Sequence, residues 1–373
     1  MGDFSGKFCS NPWTYCEIFG GGGVYICCPA YVHGKAIGNI FHNSFEEIWN
    51  SAQAQLFRKG VLDGSYCACD MQRCPGALTG TLPTHAEARG SWLADFVNDA
   101  IDNNRIIAAR GPATVKLCYD ASCNLMCPSC RNELMIAKKD EQAKLNEIRD
   151  KFILPLLKDT KVLSLSGDGD PFASNHYRDV MRMTYGVLPD LKIALHTNAV
   201  LLDERAWEDC HLEGRTVNVQ VSVDAARAET YAWVRRGGDF ERLKRNLRFI
   251  SEKRRSSEGL GTFDILFVVQ SHNYREMREF VELGRDLNVD TVHFALIDHW
   301  ERGMDSAAYK NAKIWDKRHP EYADFIEVLK DPILNDPIVN LGGAAALLRD
   351  EALPELRIGA GVIARVEPGW ASF

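Results

Sequence analysis

Short apolar runs alternate with longer amphipathic segments through the middle of the chain. The amphipathic segments repeat apolar residues at helical spacing, as in 174–185, 240–252 and 274–287. The apolar runs have the length of buried strands, and they cover 114–119, 161–166, 191–196, 217–223, 263–269 and 291–297. Such strand–helix units in series predict an α/β fold with a parallel sheet and right-handed crossovers. Polar residues follow several of these runs, at the ends of the predicted strands.

The regions on either side of these units have patterns of their own. Ser44 and Glu47 form a capping box that predicts a helix extending to about residue 59. Residues 83–110 predict one long helix joining the N-terminal region to the core, and 321–329 and 343–349 predict two helices in the tail. The predicted organisation is a small N-terminal module over 1–80, a linker helix over 81–111, a core over 112–300, and an extension over 301–373 that packs on the core.

Composition and charge limit the classes of function. A chain of 373 residues with 46% hydrophobic residues can bury a large core. The net charge is -7 with no long run of one sign, which argues against a nucleic-acid partner held by phosphate contacts. No apolar stretch reaches about 18 residues, and the first residues lack the apolar region of a signal peptide. We therefore expect a soluble, cytoplasmic protein with no membrane partner.

The cysteines are concentrated in two places. Of the 12 cysteines, most lie either before residue 75 or between residues 118 and 130, and Cys210 stands alone. Nothing in the sequence directs secretion, so a disulfide framework is not expected. The distribution indicates two metal-binding regions in a reducing compartment.

Three cysteines directly follow the first predicted strand. Cys123, Cys127 and Cys130 have the spacing Cys-x3-Cys-x2-Cys. Three thiolates are one ligand short of a full set for a four-iron cluster, which leaves one iron open to another ligand. The alternatives are a zinc site, which requires a fourth protein ligand that is missing here, or a disulfide pair.

This spacing is the motif of the radical SAM superfamily, which the sequence resembles in other places too. The SGDGDP turn at 166–171 is similar to the family's glycine-rich motif, with Asp170 in place of Glu. The turn at Asn198 and the stretch containing Ser222 and Arg235 also resemble the family. The resemblance implies a partial (β/α)6 TIM-like barrel and a [4Fe–4S] cluster bound by Cys123, Cys127 and Cys130, with S-adenosylmethionine on the open iron.

The resemblance also implies a chemistry and a set of binding residues. One electron from the cluster cleaves S-adenosylmethionine to a 5'-deoxyadenosyl radical, which abstracts hydrogen from the substrate, and a flavodoxin- or ferredoxin-type protein is the expected electron donor. The implied cofactor-binding residues are Gly167, Asp168, Gly169, Asp170, Asn198, Ser222 and Arg235. The glycine-rich turn is expected to contact the methionyl amine, while Ser222 and Arg235 are expected to bind the carboxylate, Arg235 as a fork.

Two residues are candidates for a catalytic role. Cys118 lies on the first predicted strand just before the cysteine motif, where a thiol is expected to return a hydrogen atom to a substrate radical. Cys16 and Cys210 are alternative hydrogen donors. Asp224 follows the fourth predicted strand and is expected to face the substrate.

The N-terminal region resembles the SPASM/Twitch module, which holds auxiliary iron–sulfur clusters in many radical SAM enzymes. The matching positions are Cys9, Pro12, Trp13, Gly22, Cys27, Gly38, 46–50, Cys69, Cys74 and Pro75. The resemblance implies one auxiliary [4Fe–4S] cluster bound by Cys9, Cys27, Cys69 and Cys74, with Cys28 and Cys67 as alternates; a zinc site remains the alternative. The module precedes the core, whereas the family usually places it after, and the full SPASM pattern is incomplete.

Three functions are compatible with these motifs. The first is an oxidoreductase or epimerase that acts on a carbinol carbon of a small sugar, aminocyclitol or other natural product. The second is a maturase that modifies a ribosomally synthesised precursor peptide. The third is an electron carrier or cluster scaffold, although a pure carrier has no need of a site for S-adenosylmethionine.

Overall fold

A computed structural model describes residues 4, 6–33, 36–256, 259–299 and 303–348 of the chain. The extension expected over 301–373 therefore lies partly outside the described residues. A ten-stranded sheet runs through the fold, in the order β10-β9-β8-β7-β6-β5-β4-β1-β2-β3. The strands are β1 Tyr15–Phe19, β2 Gly23–Tyr25, β3 Gly38–Asn39, β4 Thr114–Cys118, β5 Val162–Leu165, β6 Lys192–Thr197, β7 Thr216–Ser222, β8 Leu260–Val269, β9 Thr291–Leu296 and β10 Val339–Asn340.

The structure confirms the predicted α/β fold of the core. The six apolar runs form β4 to β9, and each strand pairs in parallel with the next along the chain. Amphipathic helices connect them, because their apolar stripes have to be buried against the sheet. The longer connecting helices are Lys139–Ile148, Asn175–Val187, Phe240–Arg255 and Met277–Leu287, with shorter ones at Glu204–Asp209 and Ala228–Val234.

The two faces of this sheet differ in chemistry. Residues aligned in neighbouring strands share a face, and the face carrying Leu117, Leu165 and Leu195 belongs to the large apolar core. Lys116 and Ser164 are aligned on the opposite face. Further along that face, polar side chains continue the alignment: His196, Gln220, Asp264, Thr291, Ser222 and His293. We call this the polar face. Barrel interiors are usually filled by branched apolar residues, so a polar interior is suited to a polar ligand.

The N-terminal region is joined to the core through β1, which the sequence did not predict. This strand pairs in parallel with β4 along its whole length, from Tyr15 opposite Thr114 to Phe19 opposite Cys118. Antiparallel pairing then extends the sheet to β2 and β3. Apolar residues of this region, including Ile18 and Val24, belong to the same core as the barrel. A smaller second core lies within the N-terminal region.

Two predicted helices are each interrupted. The single helix expected over 83–110 is wrong, because the structure has His85–Arg89 and Ala94–Asn103, with Gly90 ending the first. The helix expected from the Ser44 capping box also divides, into Phe45–Trp49 and Ala52–Leu62. Ser51 accepts a hydrogen bond as the cap of the second helix, and this local bond competes with continuation of the first.

The described part of the extension contains three short helices. These are Ser306–Ala312, Tyr322–Leu329 and Ala344–Leu348, and β10 adds to the sheet edge at β9. Phe325 and Leu329 belong to the main core, so the described part of the extension packs on the barrel. Within the described ranges, no helix combines the length and the apolar character that crossing a membrane requires.

Candidate functional site

The three motif cysteines lie in a loop that follows β4. Cys123 and Cys127 are buried and Cys130 is half-buried, and all three are free thiols. The backbone N–H of Cys123 donates to Met135 O at 2.7 Å, and that of Met126 donates to Arg236 O at 2.9 Å. The start of the loop is therefore bonded to Met135 further along the same connection, and its middle is bonded to the segment after β7. Burial raises the pKa of the Cys123 thiol to about 12.

Each motif sulfur has one side-chain N–H donor from another part of the fold. Asn198 Nδ2 donates to Cys123 Sγ at 3.8 Å, and Arg235 Nη1 donates to Cys127 Sγ at 3.7 Å. Arg131 Nη2 donates to Cys130 Sγ at 3.6 Å. The donors come from the turn after β6, the segment after β7, and the cysteine loop itself. Each N–H donor favours negative charge on its sulfur and so opposes the effect of burial.

The carboxylate of Asp170 has its acceptor positions filled by nearby groups. Oδ2 accepts from Thr197 Oγ1 at 2.7 Å and from the Asn198 N–H at 2.8 Å, and Oδ1 accepts from the N–H groups of Phe172 and Ala173 at 2.9 and 3.3 Å. A carboxylate offers about four lone-pair positions. The implied contact of this turn with the methionyl amine stays a prediction, and in this structure the Asp170 carboxylate joins the ends of β5 and β6.

The rest of the glycine-rich turn packs against the cysteine loop and β4. Gly169 has φ 103°, and a Cβ there would lie 2.7 Å from the carbonyl oxygens of Asp120 and Ser122. A Cβ on Gly167 would lie 3.0 Å from Cys118 Sγ. Asp168 pairs with Arg131 at 3.2 Å. The turn requires glycine because it lies so close to the loop.

The residues after β7 contact each other and the cysteine loop. Arg235 Nη2 lies 2.7 Å from Asp224 Oδ2, so Asp224 forms a buried ion pair instead of facing an open site. Ser222 Oγ lies 2.8 Å from His196 Nε2 on the polar face. Burial, together with the nearby charges of Lys116 and Arg235, lowers the pKa of His196 to about 3, so this imidazole is neutral.

Of the three thiols considered as hydrogen donors, Cys118 is the one on the polar face. Its Sγ donates to Glu17 Oε1 at 3.7 Å, and burial raises its pKa, so the thiol stays protonated. The residue is 1% exposed, and Gly167 lies over the sulfur. Cys16 is aligned with Val115 on the apolar face, and Cys210 ends the helix Glu204–Asp209, so neither reaches the polar face.

The polar face carries a buried ion pair that was not predicted from the sequence. Lys116 Nζ lies 3.1 Å from Glu17 Oε1, and the Tyr15 hydroxyl donates to Glu17 Oε2 at 2.9 Å. Further along, Asn218 Nδ2 donates to Asp264 Oδ2 at 2.7 Å. The available signal was a polar residue at every second position inside the apolar runs, as in Lys116 of β4.

Cys27 has four other N-terminal cysteines among its neighbours. Burial raises the pKa of Cys27, and the neighbouring thiols Cys9, Cys28, Cys69 and Cys74 raise it further. Burial likewise raises the pKa of Cys69 to about 12, with Cys9 and Cys74 adding to the rise.

The two alternate thiols of this region have different surroundings. Burial raises the pKa of Cys28 to about 12, and its charged neighbours Glu17 and Lys116 belong to the polar face. Cys67 is exposed. Across the described ranges, no three His, Cys, Asp or Glu side chains converge on a site for one metal ion. The thiol sets nevertheless fit iron–sulfur clusters by donor chemistry, because such clusters are held by cysteine thiolates and tuned by hydrogen bonds to sulfur.

Family models match both cysteine regions. Residues 121–284, which contain the motif cysteines and the glycine-rich turn, match the radical SAM superfamily model. The core of this chain is therefore a radical SAM domain. Residues 9–75 match the SPASM model, described as an iron–sulfur cluster-binding domain, so this radical SAM protein carries its auxiliary module before its core. The core binds a [4Fe–4S] cluster and S-adenosylmethionine, and the N-terminal SPASM domain binds auxiliary iron–sulfur clusters.

Individual relatives are similar over part of their length. A GTP 3',8-cyclase of Pelotomaculum thermopropionicum is 33% identical over 119 residues, which is 31% of this chain and 36% of that protein. Streptococcus suis SuiB bound to the precursor peptide SuiA is 16% identical, with 85% of this chain and 69% of that chain covered and a TM-score of 0.41. A tagged form of anSMEcpe with bound AdoMet is 19% identical, with 65% of each chain covered and a TM-score of 0.42. This radical SAM protein thus spans about a third of its curated relative's length.

Proposed function

We propose that this radical SAM protein is an enzyme that oxidises a carbinol carbon of a small, hydroxyl-bearing molecule of the sugar or aminocyclitol type. The polar face carries the proposal: hydroxyl, amide, imidazole and carboxylate side chains line strands β4 to β9 where a packed barrel would carry apolar ones. The partial likeness to a protein named GTP 3',8-cyclase also favours a small molecule over a peptide.

The proposed ligand sets are the two groups of thiols described above. Cys123, Cys127 and Cys130 would hold the cluster of the core, and the auxiliary [4Fe–4S] cluster would be held by Cys9, Cys27, Cys69 and Cys74. When bound, the core cluster with S-adenosylmethionine would supply an oxidising radical that removes a hydrogen atom from the carbinol carbon, the auxiliary cluster would accept the second electron, and the hydroxyl proton would be lost to solvent. The chain itself binds and orients the substrate and excludes water.

Residues of the polar face would recognise the substrate. The neutral His196 and the Ser222 hydroxyl together offer one donor and one acceptor to a substrate hydroxyl. The Glu17–Lys116 pair is buried and has no net charge. It therefore disfavours binding of a charged substrate group beside it.

The position of Cys118 favours oxidation over epimerisation. A thiol that returns hydrogen has to touch the substrate carbon, yet Cys118 is 1% exposed and lies beneath Gly167. Epimerisation with Cys118 as the donor is the second candidate, because its thiol is protonated and lies on the correct face.

The test measures 5'-deoxyadenosine and product from reconstituted, reduced enzyme with a panel of sugars, aminocyclitols and short peptides. A carbonyl product from a small molecule, without solvent deuterium at carbon, supports the proposal. Deuterium at an inverted carbon that is lost in Cys118→Ala supports epimerisation instead. Turnover of peptides alone, or no 5'-deoxyadenosine with any compound, overturns the proposal.

Iron analysis tests the ligand sets separately. Two four-iron clusters give about eight irons per chain, and replacing Cys123, Cys127 and Cys130 together by Ala leaves about four. Cys210→Ala, a change of a thiol outside both groups, serves as the matched control and keeps the full content. A wild-type content of about four irons would remove the auxiliary cluster from the proposal.

A further inference from the structure

Two arginines beside the motif cysteines combine three features. Each donates to a cysteine sulfur, each is largely shielded from solvent (Arg131 is 3% and Arg235 13% exposed), and each is paired with an aspartate on a neighbouring loop. We infer that the pairs Arg131–Asp168 and Arg235–Asp224 set the reduction potential of the cluster held by Cys123, Cys127 and Cys130. This inference rests on the ligand set of the proposed function.

The first pair connects Cys130 to the glycine-rich turn. Arg131 Nη2 lies 3.6 Å from Cys130 Sγ and 3.2 Å from Asp168 Oδ1. Its Nη1 donates to Ala121 O at 2.6 Å, which fixes the plane of the guanidinium. The side chain is 3% exposed, so water screens its charge only weakly. Asp168 therefore pairs with Arg131, and we do not expect it to bind a ligand.

The second pair connects Cys127 to the end of β7. Arg235 Nη1 lies 3.7 Å from Cys127 Sγ, and its Nη2 lies 2.7 Å from Asp224 Oδ2. Asp224 is 2% exposed, and its other oxygen accepts from the Val268 N–H at 2.7 Å. The backbone of Asp224 is held as well, since its carbonyl accepts from Asn273 Nδ2 at 2.9 Å.

The arginine and the aspartate of each pair have opposite electrostatic effects on the reduction potential of the cluster. Reduction adds one electron to the cluster, and hydrogen bonds to sulfur and nearby positive charge stabilise the more negative state. An arginine that donates to sulfur therefore raises the potential. The aspartate beside it offsets part of that charge and lowers the potential. The low effective dielectric constant of a buried site keeps both effects large.

The pattern of signs separates this role from a structural one. Arg131→Gln and Arg235→Gln remove the positive charge and are expected to lower the potential. Asp168→Asn and Asp224→Asn leave the arginine charge without its partner and are expected to raise it. A residue that matters only for folding has no reason to give shifts of opposite sign within one pair.

The experiment is a redox titration of the reconstituted protein, followed by the electron paramagnetic resonance of the reduced core cluster. We expect each substitution to change the ratio of oxidised to reduced cluster at a fixed potential by about tenfold, equal to about 59 mV for a one-electron couple. Arg254→Gln is the matched control, because Arg254 also forms an arginine–aspartate pair, with Asp290 before β9 at the opposite end of the strands. It is expected to leave the potential unchanged.

Each outcome has a distinct meaning. Shifts of opposite sign for arginine and aspartate variants support the inference, whereas unchanged potentials, or shifts of one sign for all four, overturn it. If the glutamine variants hold no iron, the sign of the shift in the asparagine variants decides alone. A wild-type protein without the cluster signal contradicts the proposed ligand set itself, whereas a normal signal with unshifted potentials contradicts this inference alone.

Discussion

The ion pair between β1 and β4 predicts how firmly the N-terminal region is coupled to the barrel. Glu17 is fully buried, and its carboxylate lies 3.1 Å from the Lys116 ammonium, whose side chain is 8% exposed. At that separation, two charges attract by about 5 kcal/mol for an effective dielectric constant of about 20. Glu17→Gln keeps the shape but leaves the Lys116 charge buried without a partner. We expect a loss of about 3–5 kcal/mol in the free energy of unfolding.

A double-mutant cycle isolates the interaction energy between Glu17 and Lys116. Lys116→Met should cost a similar amount, because it leaves the Glu17 carboxylate unpaired, while Glu17→Gln with Lys116→Met should recover most of the loss. The assay is urea unfolding followed by far-ultraviolet circular dichroism under anaerobic conditions, with the midpoint and slope compared.

Glu147→Gln is the matched control for this cycle. It removes the same group from a pair with Lys151 whose side chains are 75% and 61% exposed, and no measurable change is expected. If Glu17→Gln behaves like this control, or if the two single losses simply add in the double variant, the Glu17–Lys116 pair does not couple the two regions.

Three further substitutions have defined outcomes. Burial raises the pKa of Asp264 to about 6, so the folded state resists ionisation of this carboxyl as the pH rises. Asp264→Asn should therefore stabilise the protein by about 3 kcal/mol at pH 8 and have no effect near pH 3, and denaturation at both pH values checks this. Gly169→Ala should lower the iron content, because its Cβ would meet the carbonyl oxygen of Ser122 at 2.7 Å; circular dichroism checks that the fold is retained. Arg58→Met removes a buried guanidinium that donates to three backbone carbonyls in the N-terminal region, and we expect a loss on the order of 3 kcal/mol in thermal unfolding.

The strands of the core were predictable because one whole face of each is apolar. Apolar residues are dense in these runs, as in Leu163 and Leu165 of β5 or Ile193 and Leu195 of β6. Such density is typical of a buried parallel strand. β1 was not predictable in this way, because Glu17 interrupts a strand of five residues and its partner β4 lies far along the chain. Pairing over such a separation leaves no signal in a local pattern.

The sequence predicted which segments meet at the site, but it did not predict which side chains pair there. The cysteine loop, the glycine-rich turn and the segment after β7 do meet, as the order of the motifs implied. The partner of each carboxylate was not predictable. Asp170 accepts hydrogen bonds from Thr197 and Asn198, and Asp224 forms an ion pair with Arg235. Arg131 was missed because a single arginine after a motif has no periodicity to mark it.

The parallel pairing of β1 with β4 constrains the order in which a newly made chain can reach its final structure. During translation, β1 is synthesised first and remains without its sheet partner until Thr114–Cys118 has emerged. Distant pairing of this kind forms late, because a long loop has to close before the contact is gained. The sheet that joins the N-terminal region to the barrel is therefore completed only after the first strand of the barrel has been made.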